Sequence, residues 1–132
     1  MTELITRLKI TSWDETVTAE FDGSKITRAA VELAEGVDGL TGGTSESVMY
    51  YRPDGSSDYV TVIRLTGVLD GRAGSFVASG HGGFDGTTAA STSDIVPGSG
   101  TGELAGISGT LTSSSTHADY PFMPLTLTYQ LT

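Results

Sequence analysis

The chain has 132 residues, no cysteine, seven basic against sixteen acidic side chains, and a formal charge of −9. That length suits one domain spanning residues 1–132 with a single core, and without cysteine there is no disulfide framework, thiolate nucleophile or thiolate metal site. The basic residues end at Arg72, so the chain lacks the cationic surface that would displace counterions from a nucleic acid or rest on an anionic membrane.

The opening Met1-Thr-Glu-Leu-Ile has neither a basic leader nor a long apolar stretch, which predicts a cytoplasmic protein. Glu3 to Trp13 reads as the first strand, with Leu8, Ile10 and Ser12 on one face, and Thr16 to Phe21 as its extension or an irregular arm. Asp22-Gly-Ser-Lys25 is a turn. Ile26 to Glu35 reads as a second strand. A helix competes there, because Ala29 to Glu35 holds good helix formers, but Gly36 and Gly39 follow at once. Thr44 to Arg52 is the third strand, and Arg52-Pro-Asp-Gly55 turns it.

Asp58 to Leu69, the fourth strand, is apolar or β-branched on both faces. Tyr59, Thr61, Ile63 and Leu65 share one; Val60, Val62 and Val68 share the other, interrupted by Arg64. A strand with two apolar faces expects cover on both, which predicts a homo-oligomer contact. Asp70-Gly-Arg is a hairpin turn. Ser75–Gly82, Thr87–Val96 and Thr101–Ser108 follow as strands five to seven. Leu111 to Ala118 is rich in serine and threonine and reads as a mobile loop. Tyr120-Pro-Phe-Met-Pro124 leads into strand eight, where Leu125, Leu127, Tyr129 and Leu131 alternate with Thr126, Thr128 and Gln130.

The eighteen glycines are about twice the usual share, and they punctuate short apolar stretches as they do in antiparallel sheets. The pattern predicts an all-β chain, a single closed antiparallel barrel of about eight strands, with a β-sandwich as the rival. An eight-stranded barrel is wide enough to be filled by side chains or to hold one small ligand.

Four blocks carry a more specific signal: Ser12-Trp-Asp-Glu15, Gly36-Val-Asp-Gly39, Gly67 to Val77 and Val96 to Gly109, with Gly98-Ser-Gly-Thr-Gly-Glu-Leu104 the most distinctive piece. Together with the terminal strand Leu125 to Leu131, they resemble an uncharacterised bacterial family, domain of unknown function 3224. The resemblance implies an allene oxide cyclase-like barrel of the calycin or dirigent kind. It carries no established activity. Ala78-Ser-Gly80 before His81 departs from the bulkier strand end of that family.

The candidate chemistry is sparse. Gly98-Ser-Gly-Thr-Gly lacks the lysine and the following helix of a phosphate loop, and reads as a tight strand connection. Glu103 would act as an acid or base if aimed into an apolar interior; alternation from Leu104 favours the outer face. His81 shares alternation with Val77 and Ser79 and is a candidate at the barrel mouth. Two histidines far apart in sequence make a poor metal set, so no metal and no cofactor are expected. The inward aromatics would build a small-molecule site: Trp13, Phe76 and Tyr129, with Leu127, are the candidate ligand-binding residues. Tyr50, with Glu103 and His81, is a candidate catalytic group. Tyr51, Tyr59, Tyr120 and Phe122 are further aromatics on these strands. A closed core of the same side chains is the alternative.

The leading expectation is a small apolar or amphipathic ligand in the barrel, handled by a cofactor-free isomerase or cyclase that restricts conformers. A non-catalytic carrier and a structural barrel with a filled core are the alternatives. The isomerase expectation rests on fold analogy.

Overall fold

A computed structural model describes residues 1–132. The elements run β1 (Thr2–Phe21), β2 (Ser24–Ala34), β3 (Leu40–Tyr51), β4 (Ser57–Leu69), β5 (Arg72–Phe84), β6 (Ala89–Ile95), β7 (Thr101–Gly102), β8 (Ser108–Ser115), a single 3-10 turn (His117–Asp119) and β9 (Phe122–Gln130). All nine strands join one antiparallel sheet in the order β4-β3-β2-β1-β9-β8-β6-β5-β7. Pairing of β4 with β5 closes a ring of hydrogen bonds through eight of them, with β7 attached outside that ring to β5. No helix is long and apolar enough to cross a membrane.

The competitor helix at Ala29–Glu35 does not form. Ala29, Val31 and Leu33 face the interior and are buried while Arg28, Ala30 and Glu32 are exposed, the period of a strand rather than of a helix. The long β1 serves both halves of the ring: Thr2–Lys9 pairs with β9 and Lys9–Phe21 with β2. A bulge after Ile10 shifts the pairing register. An extra residue in one strand swaps the face presented by every residue beyond it. Trp13, rather than Ser12, therefore joins Ile10 on the inner wall.

Two expected elements exchange places. Thr101 to Ser108 is not a full strand: only Thr101 and Gly102 pair with a neighbour. Gly98, Gly102 and Gly106 take φ of 82°, 59° and 85°, conformations that a side chain opposes. They fold the segment into turns that lay Leu104 and Ile107, 0% and 3% exposed, across one end of the ring. The strand lies instead in the serine- and threonine-rich stretch read as a mobile loop. Ser108–Ser115 pairs with β6 on one side and β9 on the other. Its inward positions after Leu111 are serines, so it carries no apolar alternation to announce it.

The core fills the end of the ring capped by Leu104 and Ile107. Phe76, Leu8, Leu40, Leu65, Leu69 and Leu127 are buried there, with Tyr129 beside them. On the terminal strand Leu125, Leu127 and Tyr129 point in and Gln130 is exposed. The outer face of β3 and β4 is unlike the rest of the surface. Val48, Val60 and Val62 are 48%, 58% and 54% exposed, and Val48 lies directly across from Val60. Phe21 stacks on Tyr50 at the end of this patch, ring centres 6.2 Å apart. Val68 is also exposed but sits farther along β4, beyond Arg64 and Thr66.

Candidate functional site

At the end opposite Leu104 the ring is hollow. A cavity of about 470 Å³ opens there, with Val31, Ile63, Leu111 and Leu125 forming its floor where it meets the core. Its rim is built by Gly55, Phe84, Thr116, His117 and Tyr120. This volume lies within the range of small-molecule sites.

The wall has two unlike sides, each from contiguous strands. On β9, β1 and β2 it is apolar: Phe122, Met123 and Leu125, then Ile10 and Trp13, then Val31. From β3 round to β8 it carries hydroxyls among apolar side chains: Ser45 and Ser47 with Met49, then Ser57, Tyr59 and Thr61 with Ile63, Phe84 alone from β5, then Ser91 and Ser93 with Ala89, then Ser113 and Ser115 with Leu111. Ser47 donates to Thr61 at 3.0 Å. Burial raises the pKa of the Tyr59 phenol, and Ser91 beside it partly offsets the rise. His117 at the rim is the single lining residue with a chargeable nitrogen, and no carboxylate lines the wall.

A carboxylate does stand next to the mouth. Glu15 follows Trp13 on the inner face of β1 and receives three hydrogen bonds. Trp13 Nε1 donates to Oε1 at 2.9 Å, while Thr27 Oγ1 and the Tyr51 hydroxyl donate to Oε2 at 2.7 and 2.8 Å. Partial burial pushes the Glu15 pKa up, but Thr27, Trp13 and Tyr51, with the charge of Lys25, outweigh it and hold the carboxyl below its ordinary value. Burial and the facing Glu15 carboxylate push Tyr51 up to about 12. Lys25 Nζ lies 5.0 Å from the Tyr51 ring centre on the same cluster. The carboxylate thus fixes two cavity-lining aromatics, Trp13 and Tyr51, in place.

This cluster links to pH with a defined sign. A carboxyl whose pKa falls on folding adds stability above its unfolded value, and that stability is lost as pH drops through the folded value. Thermal melts of the protein and of Glu15→Gln should therefore differ at pH 7, and the difference should shrink as pH falls below the ordinary glutamate value of about 4.3 and through the lowered folded one. Tyr51 acts in the other direction. Its raised value withdraws stability as pH climbs from about 10 towards 12. A gap between the two melts that is independent of pH would contradict the ionised role of Glu15.

The residues singled out in the sequence do not form one site. Trp13 lines the mouth and is 50% exposed. Phe76, Leu127 and Tyr129 lie in the packed core below the cavity, and the Tyr129 hydroxyl donates to Asp70 Oδ2 at 3.2 Å. Burial first, then Asp70, raises the Tyr129 pKa. Tyr50 points outward, stacked on Phe21 with its hydroxyl 3.4 Å from Ser24 Oγ. His81 is exposed on the outer face opposite Val60. Glu103 is exposed at the capped end, where it accepts the Ala73 N–H at 3.3 Å. Sequence reasoning missed Glu15, Thr27 and the serine wall. The available signal was serine at every second position: Ser45 and Ser47, Ser91 and Ser93, Ser113 and Ser115.

A crystal structure at 1.84 Å resolution of a protein of unknown function from the DUF3224 family of Shewanella oneidensis MR-1 has a similar fold. Its TM-score is 0.72 at 23% sequence identity, covering 99% of each chain. No curated protein matches this chain. The family model described as protein of unknown function (DUF3224) matches residues 5–129, and the chain belongs to that family.

Proposed function

We propose that the ring is a β-barrel that binds one small amphipathic molecule in its hollow half and holds it without covalent chemistry. The observation that carries this reading is the two-sided wall, apolar on β9, β1 and β2 and bearing hydroxyls among apolar side chains on β3, β4, β6 and β8, around an open volume of about 470 Å³. A filled barrel gains nothing from serines turned inward, since a polar group removed from water needs a partner. A carrier also fits the positions of Glu103, His81 and Tyr50, which do not converge on the cavity. The second reading is a cofactor-free isomerase or cyclase that works by confining conformers. Tyr59 favours it, as a phenol inside the cavity with its pKa raised by burial. The likeness to allene oxide cyclase-like barrels adds only a fold-level analogy.

The neutral fluorophore N-phenyl-1-naphthylamine should brighten on binding and should also quench Trp13, the single tryptophan. Ser113→Trp fills the hollow from β8 with a side chain that replaces no hydrogen bond. It should weaken dye binding by about ten-fold or more, roughly 1.4 kcal/mol, with an unchanged melting temperature. Dye binding that survives this substitution would move the site out of the barrel.

We infer that the outer patch of Val48, Val60 and Val62 meets a second copy of the chain. At a net charge of −9 two copies repel, but this face is close to neutral. Arg28 lies across from Val48 and Glu46 across from Val62, while Arg52 pairs with Asp58 beside them. In a two-fold contact the Arg28 flank of one copy can face the Glu46 flank of the other. Sedimentation at micromolar concentration should give a dimer, and Val62→Glu a monomer. A monomeric unmutated protein would overturn the inference.

A further inference from the structure

We propose that the cavity selects an uncharged molecule with two unlike edges, one of hydrocarbon and one bearing hydroxyl or carbonyl oxygens. This rests on the small-molecule reading above and goes further by naming the ligand class. Ser57 and Ser93 carry the argument. They are 2% and 4% exposed and line the hydroxylated wall, and neither hydroxyl has a hydrogen-bond partner in the protein. Neither is sealed in, either: the one fully enclosed hydroxyl without a partner is that of Thr6. Both therefore keep access to the cavity, the Ser93 hydroxyl from beside Gly80 on β5. A hydroxyl so placed needs an oxygen or nitrogen from whatever occupies the space.

The facing wall sets the other edge. Ile10, Val31, Met123 and Leu125 offer no polar atom, so a hydroxyl turned that way would lose its hydration without return. Charge is disfavoured at both signs. No cationic side chain of lysine or arginine lines the cavity to meet an anion. The nearby Glu15 carboxylate, which would attract a cation, is already engaged by Thr27, Trp13 and Tyr51. Past His117 at the rim, an ion drawn inside would shed water with no charged side chain on the wall to replace it. The volume of about 470 Å³ admits a molecule of two or three fused rings.

Four two-ring probes separate these requirements by calorimetric titration at pH 7: naphthalene, 2-naphthol, 2,7-dihydroxynaphthalene and 2-naphthoate. The expected order has each naphthol about three- to ten-fold tighter than naphthalene, the worth of a net hydrogen bond. Naphthoate should bind about ten-fold or more weaker than 2-naphthol, because its charge must be desolvated. In Ser57→Ala/Ser93→Ala the advantage of the naphthols should vanish, while naphthalene keeps its affinity to within about two-fold. If naphthalene binds as tightly as the naphthols, or naphthoate binds tightest, the ligand class is wrong and the cavity reading stands. If none of the four binds the folded protein, the cavity reading itself falls.

Discussion

Phe76→Ala should lower the unfolding free energy by about 3–5 kcal/mol, the range for removing a buried phenylalanine from a core that cannot close around the gap. Phe76 is 0% exposed, lies across from Leu65 on β4, and belongs to the same cluster as Leu104 and Ile107. Each ring strand there is hydrogen-bonded on both sides, so the wall cannot move inward to fill a hole. Phe84 is the internal control. It sits on the same strand and the same inner face, but at the rim of the cavity, half-buried. Its removal takes away area already open to solvent, so Phe84→Ala should cost about 1–2 kcal/mol. Urea unfolding of both variants, compared at equal slope, makes the test. Equal losses would mean that the two ends of the ring are packed alike, and the hollow half would then be filled in solution.

The distinction between those halves was only partly legible in the sequence. Where the interior is apolar, alternation is plain: Leu125 to Tyr129 reads directly as a strand with a defined inner face, whereas β4, apolar on both faces, reads as a strand without one. Where the interior is hollow, the inner face is serine, and hydrophobic period is silent. β8 was lost for that reason, and the serine wall with it. Trp13 depends on a bulge, which shifts parity without marking itself in residue type. The Glu15 cluster joins residues from β1, β2 and β3, and no spacing along one strand encodes such a meeting. Tyr50 and Tyr51 are neighbours of the same type, and only register decides that Tyr51 faces the cavity while Tyr50 faces out. The distinctive Gly98 to Leu104 block was conspicuous, yet its work is to fold a cap over the core rather than to hold a ligand.

That division of labour bears on how glycine substitutions should behave, and Gly109 is the sharpest case. Gly109 opens β8 opposite Tyr129 with φ of 145°, and a Cβ added there would stand 1.9 Å from the Thr128 carbonyl oxygen. The obstacle is backbone in a paired strand, not the end of a flexible side chain, so relief requires β8 and β9 to separate. Separation would break the ring beside Leu111 and Leu127, both buried. Gly109→Ala should therefore cost at least about 3 kcal/mol, the upper part of the range for overpacking with backbone strain added. Gly55 has a comparable conformational demand, φ 89°, but nothing lies within 4 Å of its Cβ position. Gly55→Ala should cost only about 1 kcal/mol, the left-handed penalty alone. For a domain whose whole stability is roughly 5–15 kcal/mol, the first variant should unfold at markedly lower urea and the second close to the parent. If the two variants lose equal stability, close strand approach at Gly109 contributes nothing beyond backbone strain, and the pairing of β8 with β9 that encloses the serine wall would have to be redrawn.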